Sequence, residues 1–355
     1  MGGGLMQLVA MGAQDVYLTG NPQITFFKVV YRRHTNFSKE AIKQEFNGGA
    51  AGNGGTCTLA RNGDLVQEIY VQGTNTVINT AEVEIGGQKI DKHYKEWLAI
   101  YDQLFDENAG LKTALAPSGV AGFTPLRFWF NRNPGLALPL IALQYHEVKV
   151  IVSGTGCANL LVNYLYLDTD ERRRFAQVSH EYLIEQVQHT GVESLGAPAT
   201  TGTSKSITLT FNHPVKALFW NGLVSGATDG ATPPVALDNG VKSYTAKLQL
   251  NGHDRASEQG NLYFTGVQPY ECGLRHNHDG AALTPAHAGM YSFCLKPGEH
   301  QPSGTCNFSR IDNARLVLNV TGEGAGADAQ SLHVFAMNYN VLRIMSGMGG
   351  LAYSN

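Results

Sequence analysis

The sequence predicts an all-β protein: one sandwich or jelly-roll domain written twice in tandem, with few short helices. Three observations carry this. Six short anchors recur in the same order in the two halves of the 355-residue chain. Apolar and polar residues alternate over short runs that end on Gly-Gly or Asn-Gly, the pattern of half-buried strands joined by hairpins. A parallel βαβ plan would need regular helices between strands, and these are missing.

The anchors are read in chain order. "AIKQ" (Ala41–Gln44) matches "LIEQ" (Leu183–Gln186) at an offset of 142, and "NGDLVQEIYV" from Asn62 matches "NHPVKALFWN" from Asn212 at 150. "VEIGGQ" from Val83 matches "LQLNGH" from Leu248 at 165. "FWFNRNPGLALPL" (Phe128–Leu140) matches "YSFCLKPGEHQPS" (Tyr291–Ser303) at 163, each with a Pro-Gly turn, Pro134-Gly135 and Pro297-Gly298. "EVKVIV" from Glu147 matches "NARLVL" from Asn313 at 166, and "NYLYL" from Asn163 matches "NYNVL" from Asn338 at 175. The offset drifts because loops absorb insertions.

Each half offers roughly seven or eight short strands, the number a sandwich or jelly roll needs. "AEVEIGGQKI" alternates Val83 and Ile85 against Glu82 and Glu84 before turning on Gly86-Gly87; "AKLQLNGHD" alternates Leu248 and Leu250 before Asn251-Gly252. One helix is expected in "DKHYKEWLAIYDQLFDEN", where Trp97, Ile100, Tyr101, Leu104 and Phe105 form a single apolar stripe that suits packing on a sheet. The matching stretch of the second copy, "RASEQGNLYFTGVQPYE", has no such stripe and reads as a loop. "TDERRRFAQ" (Thr169–Gln177) adds a short helix that closes the first copy. The expected division is an N-terminal arm over 1–20, a first jelly roll over 21–178 and a second over 179–355. The arm, with Gly2, Gly3, Gly4 and Gly12 among scattered apolar residues, is too short to fold alone: it frays or docks on a neighbour.

Composition narrows the function. Charged residues are 15% of the chain, below the usual quarter, as for a protein that hides much of its surface against something else. A net charge of −3 argues against a direct nucleic-acid binder, which needs a basic surface. The local basic run Lys28–His34 reads as a solvated strand edge or a patch for an acidic partner or lipid headgroups. Five scattered cysteines without a CxxC pair point to a reducing compartment. The start lacks a secretory signal, Met6 stands where a myristoylation motif wants Ser or Thr, and no apolar run spans a bilayer. The sequons at Asn36, Asn307 and Asn319 are then candidate glycosylation sites only as chance matches.

Sites for chemistry are incomplete. His276, His278 and His287 invite a metal, but the HxH motif of cupins wants Gly where Tyr270 stands and Glu where Ala282 and Leu283 stand. "DTDE" (Asp168–Glu171) lacks the spaced ligands of a Ca²⁺ loop and reads as a strand end and helix cap. "SRID" (Ser309–Asp312) reads as a turn and strand. No nucleophile elbow, P-loop or dinucleotide fingerprint is present. The residues name no catalytic, cofactor or metal site.

"GAQDVYLTGNPQITFFKVVYRRHTNFS", "PGLALPLIALQYHEVKV", "QPSGTCNFSRIDNA" and "NYNVLRIMSGMGGLAY" together resemble the major capsid proteins of nucleocytoplasmic large DNA viruses, most of all those of the phycodnaviruses that infect algae. The resemblance spans nearly the whole chain. It implies a double jelly roll, two eight-stranded sandwiches in tandem. Three chains would form a homotrimer with a pseudo-hexagonal outline of six jelly rolls. Trimers would tile an icosahedral virion shell, assembled in host cytoplasm, around an internal membrane. It also implies minor capsid and penton proteins as partners, an N-terminal arm on the inner side near the membrane, and no cofactor. The stretches Phe105–Phe128 and Asn221–Ser243, where relatives carry long outward loops, are compact here. The residues alone leave two other readings open, a double jelly-roll carbohydrate-binding surface protein and a cupin-like enzyme, because one fold serves all three roles.

Overall fold

The computed structural model describes residues 6, 9–10, 12–49, 52–105, 115, 119–196, 203–224, 244–274, 288–320 and 330–354. Contacts divide the chain into two compact units, Met1–Asn36 and Phe37–Asn355. Among the described residues the second unit carries all the strands. In its first half these are β1 (Phe37–Glu45), β2 (Gly54–Thr58), β3 (Leu65–Thr74), β4 (Val77–Ile85), β5 (Gln88–Tyr94), β6 (Ala121–Pro125), β7 (Leu138–Pro139), β8 (Val148–Thr155) and β9 (Asn159–Leu167). In its second half they are β10 (His180–Gly196), β11 (Thr203–Thr208), β12 (Pro214–Val224), β13 (Tyr244–Leu250), β14 (His253–Gly260), β15 (Gly289–Ser292), β16 (Cys306–Asn307), β17 (Ala314–Val320), β18 (Gln330–Met345) and β19 (Met348–Leu351).

These strands form four antiparallel sheets. The first half gives β1-β9-β3-β6, with β7 on β3, and β2-β8-β4-β5; the second gives β10-β18-β12-β15, with β16 on β12, and β11-β17-β13-β14. Adding nine to every strand number of the first half yields the second. Without the two-residue β7, the eight strands of a copy pair in the order 1-8-3-6 and 2-7-4-5, a jelly roll built from two Greek keys. The chain is an all-β double jelly roll.

The register confirms the duplication at residue level. Val83 pairs with Val150 and Leu248 with Leu316, so the offsets of 165 and 166 read from the sequence describe equivalent partners. The hairpins agree too: Gly86 and Gly87 (φ 58° and 81°) and Asn251 and Gly252 (φ 49° and 82°) take the left-handed pair that a two-residue turn with native twist requires.

Three anchors, and the second half of a fourth, are corrected. Val66 pairs with Tyr164 as Val215 pairs with Asn338, and Ile69 with Val162 as Leu218 with Ala336, which sets the offsets at 149 and 174 rather than 150 and 175. A slip of one residue turns every side chain to the other face, and only the observed register puts Val66, Ile69, Val215 and Leu218 inside. Ala41 pairs with Asn163 and Val187 with Met337, so β1 and β10 correspond at 146, not 142. Beyond the Pro-Gly turns, Leu138 on Val66 corresponds to Cys306 on Val215, an offset of 168, so the second proline of each motif is not equivalent.

Each sandwich holds its own core. Val66, Ile69, Val83, Val150 and Val162 fill the first, Leu218, Trp220, Ala246, Leu248 and Leu316 the second, all nearly or wholly buried. Fully burying one large apolar side chain contributes roughly 1.5–3 kcal/mol.

Among the described residues helices are few: α1 (Val16–Thr19), α2 (Lys95–Leu104), α3 (Trp129–Arg132), α4 (Thr169–Gln177) and α5 (Gln268–Glu271). The stripe of Trp97, Ile100 and Leu104 is buried as its spacing requires. α4 starts where expected, with Asp168 Oδ1 accepting from Thr169 N at 2.8 Å and Asp170 and Glu171 in its first turn. The second copy differs from expectation. Its stretch after β14 is not a loop: a π-helical turn over Tyr263–Val267 runs into α5. Gly266 and Pro269 hide it from a periodicity search; Pro269 falls at the junction where the π-helical turn passes into α5.

In the smaller unit, Asp15 Oδ2 accepts from Gly12 N at 2.7 Å just before the single turn of α1. Among its described residues the large apolar side chains face solvent; Phe26 and Phe27 are 88% and 97% exposed. The basic run Lys28–His34 is exposed and carries no strand, which corrects the strand-edge reading. Among the described residues no helix is long and apolar enough to cross a membrane.

Candidate functional site: the seam between the two sandwiches

The two copies exchange elements. α2 leaves the first sandwich and lays Trp97, Ile100 and Leu104 on the outer face of β10-β18-β12-β15, against Val187, Ala217, Phe219, Met290, Phe335 and Met337. Trp97 stands edge-on to Phe219 at 5.3 Å and tilted against Phe335 at 5.8 Å. In return, β10 and β18 overrun the second sandwich. Ile184, Leu342 and Ile344 are buried in the first core, and the β18–β19 hairpin lies against its loops. Tyr145 N donates to Gly347 O at 3.0 Å and Gly349 N to His146 Nδ1 at 3.2 Å. A Cβ on Gly349 would sit 2.6 Å from Leu143 Cδ2, so any larger residue here would have to displace that buried leucine.

Polar groups fix the register of the seam. Val187 N donates to Asp91 Oδ1 at 3.1 Å, and Gln186 Nε2 donates to Ile90 O, which ties β10 to β5. His93 Nε2 lies 2.9 Å from Asp91 Oδ2, both wholly buried, with the imidazole stacked on Phe128. Glu185 accepts from Arg132 Nη1 at 2.6 Å and from Lys216 Nζ at 2.5 Å. Lys216 is 1% exposed, and its Nζ stands 5.0 Å over the Tyr339 ring. Burial and the Glu185 charge push the Tyr339 phenol up. Removing one member of such a buried cluster costs about 3–5 kcal/mol, because the partner is left charged and unpaired.

A histidine pair completes the seam. His189 Nε2 and His333 Nδ1 are 3.1 Å apart with rings stacked, flanked by Tyr94 at the foot of α2 and by Phe335. Burial, and then the His333 charge, lower His189 to about 4; burial lowers His333, against the pull of Glu96.

The repeated Pro-Gly motif has its place here. Pro134–Leu136 is a 3₁₀ turn whose Gly135 N donates to Asn133 Oδ1 at 2.8 Å, and Pro297-Gly298 is a turn of the second copy. Leu136 of the first turn and Pro297 and Gly298 of the second line one cleft of about 240 Å³, with Tyr101, Trp129, Arg132, Glu185 and Met337. Neither glycine takes a left-handed φ. The second turn packs closely at the seam: a Cβ on Gly298 would come within 3.2 Å of Leu274 Cδ2.

The other candidates stand apart from the seam. Asn36 and Asn307 are exposed; Asn307 Oδ1 accepts from Ser309 N, while Asn319 Nδ2 donates to Glu258 Oε1 at 2.8 Å. Ser309 and Arg310 lie in a 3₁₀ turn. Burial pushes the Cys57 and Cys157 thiols up to about 11, which makes them inert packing groups. His276, His278 and His287, and most of the two loop stretches between Phe105 and Phe128 and between Asn221 and Ser243, lie outside the described residues. Sequence reasoning missed the seam cluster. Its one signal was Lys216, a lone charge in the apolar run "PVKALFW".

The comparisons agree with this architecture. Residues 171–350 match the family described as large eukaryotic DNA virus major capsid protein, and residues 25–169 match major capsid protein N-terminus. The chain is 50% identical to the major capsid protein of Pyramimonas orientalis virus and 44% identical to that of Paramecium bursaria Chlorella virus 1, with both chains covered completely in each case. It superposes on a chain of the PBCV-1 virus capsid with a TM-score of 0.77 at 38% identity, covering 93% of this chain and 100% of that one. The Faustovirus major capsid protein, 11% identical over 94% of each chain, shares the fold with a TM-score of 0.70. By two family models that together span most of its length and by full-length relatives at this identity, the chain belongs to the major capsid proteins of large eukaryotic DNA viruses, and its role is structural.

Proposed function

We propose that three copies of this chain close into a homotrimeric capsomer with six jelly rolls around its rim, and that these trimers tile an icosahedral shell without catalysis. One observation carries the reading: the two copies share a single strand order and are locked together by exchanged elements. A chain built this way presents two similar sides in fixed relation, and three such chains supply the six sides that hexagonal tiling needs. Closed rotational symmetry is the ordinary outcome for heterologous contacts that meet after a few copies. The reading divides the chain into an arm over 1–20 and jelly rolls over 21–178 and 179–355.

The smaller unit supports a role beyond the ring. Exposed Phe26, Phe27, Val29 and Tyr31 beside Lys28, Arg32 and Arg33 suit a surface that is apolar and anionic, such as an internal viral membrane, or the inner faces of minor capsid proteins. Penton proteins would close the vertices, and assembly would take place in host cytoplasm. Asn36, Asn307 and Asn319 are the sequons open to glycan attachment.

Light scattering on a sizing column tests the capsomer. Three times the chain mass, stable to dilution, is the expected result. A monomer that does not associate at any concentration would overturn the reading.

A further inference from the structure

We propose that the cleft at the seam binds a small monocarboxylate with a flat apolar body, of the size of a single-ring aromatic acid, held between the two jelly rolls. The proposal is independent of the capsomer reading, because every residue it uses belongs to one chain.

Charge sets the sign of the ligand. Glu185 Oε2 accepts from Arg132 Nη1 at 2.6 Å and Oε1 from Lys216 Nζ at 2.5 Å. One carboxylate against two cations leaves one positive charge, where Lys216 is 1% and Glu185 7% exposed. The neighbouring acids do not cancel it. Asp102 lies 3.4 Å from Arg127, and Glu299 lies 2.8 Å from Lys296, so each already has its own cation. A buried charge without a counter-charge is costly, and an anion in the cleft removes that cost. A metal ion is the wrong occupant. Among the described residues no three His, Cys, Asp or Glu side chains stand close enough to share one.

The polar lining offers donors. Arg132 Nε donates to Arg127 O at 2.8 Å and Nη1 is held by Glu185, while Nη2 is buried with no partner among the described residues. The guanidinium lies 4.8 Å over the Tyr101 ring, which fixes its plane before any ligand arrives. Asn133 Oδ1 accepts from Gly135 N at 2.8 Å, so the group that Asn133 has left to offer is its Nδ2, a donor. His300, half-buried just after the Pro297-Gly298 turn, adds a ring nitrogen to the same lining.

Size and the apolar wall set the body. About 240 Å³ is less than the roughly 300 Å³ at which pockets for drug-sized molecules begin, so a nucleotide is too large. A bare phosphate would leave Trp129, Leu136, Pro297 and Met337 uncovered, whereas a single ring covers them, and the methionine adapts to its outline. Arg132, Asn133 and Leu136 come from the first copy; Pro297, His300 and Met337 come from the second. A ligand held by both recognises only the closed seam and stabilises it by mass action.

Titration calorimetry of the full-length protein with benzoate tests this. One benzoate per chain is expected, bound at least tenfold more tightly than benzyl alcohol, which keeps the ring but not the charge, or inorganic phosphate, which keeps charge but not the ring. The melting temperature should rise with benzoate concentration. Asn133→Asp keeps the acceptor for Gly135 N but replaces the donor with a charged oxygen, and His300→Glu sets a carboxylate on the opposite wall. Each should melt as the parent does without ligand and bind benzoate at least tenfold more weakly. No benzoate uptake at millimolar concentration, equal affinity for benzyl alcohol, or parental benzoate affinity in both variants would overturn the proposal.

Discussion

At the scale of residues, the seam depends on a few buried polar groups. Lys216 would be expelled from an apolar strand were Glu185 not there to receive it, and Glu185 is held from the other side by Arg132 of the first copy. The His189–His333 pair is the acid-sensitive part. Both rings stay neutral in the fold at a pH where free imidazole takes a proton near 6.5. Above that value neither state binds the proton and the pair adds no pH dependence. Below it the unfolded chain gains protons that the fold refuses, so stability falls as pH drops from 6.5 toward 4. Carboxylates such as Glu68 and Glu82 have lowered values, and their stabilising contribution is lost only below about 4.5 as they take up protons. Melting temperatures measured between pH 7 and 4.5 should decline, and His189→Phe, which keeps a ring between Tyr94 and Phe335, should flatten the slope. An identical slope in the variant would remove the pair from this account.

At the scale of elements, α2 and the C-terminal hairpin are the two straps. The stripe of Trp97, Ile100 and Leu104 was legible from spacing alone. Its partner was not, because periodicity says which side is apolar but not which sheet will cover it. Trp97→Ala removes a fully buried indole between Phe219 and Phe335 and should cost about 3–5 kcal/mol in urea unfolding. Calorimetry should then resolve two transitions where the parent shows one, since the sandwiches keep their own cores but lose a strap. One unshifted transition would mean that α2 contributes little to the coupling. The helical segment after β14 escaped the sequence for a local reason. Its aromatic residues Tyr263 and Phe264 are adjacent rather than spaced by three or four, and a π-helical turn is needed to seat them.

At the scale of the whole molecule, duplication explains the composition. A chain that meets its own second copy, and then other chains, on several sides can carry few charges. The exposed aromatics of the smaller unit are the surface that an isolated chain can least tolerate. Deleting residues 1–20 should leave the mass in light scattering at the trimer value while electron microscopy shows no closed shells. A monomeric truncation would place the arm in the ring itself.

By itself the sequence determined the strand class, the duplication, the Gly-Gly and Asn-Gly hairpins, α2, and the family resemblance. Each of these is written in local pattern: alternation of period two, a helical stripe, residues that accept a left-handed φ, or long motifs. The tertiary structure decided the register, by a single residue at β3 and β9, because only the packed core tells the inside of a strand from its outside. It also decided that β10 and β18 overrun into the first sandwich, and that Arg132, Glu185 and Lys216 meet. Glu185 is 53 residues from Arg132 and 31 from Lys216 in the chain, and no local pattern encodes a contact that forms only when two separate sheets close on each other.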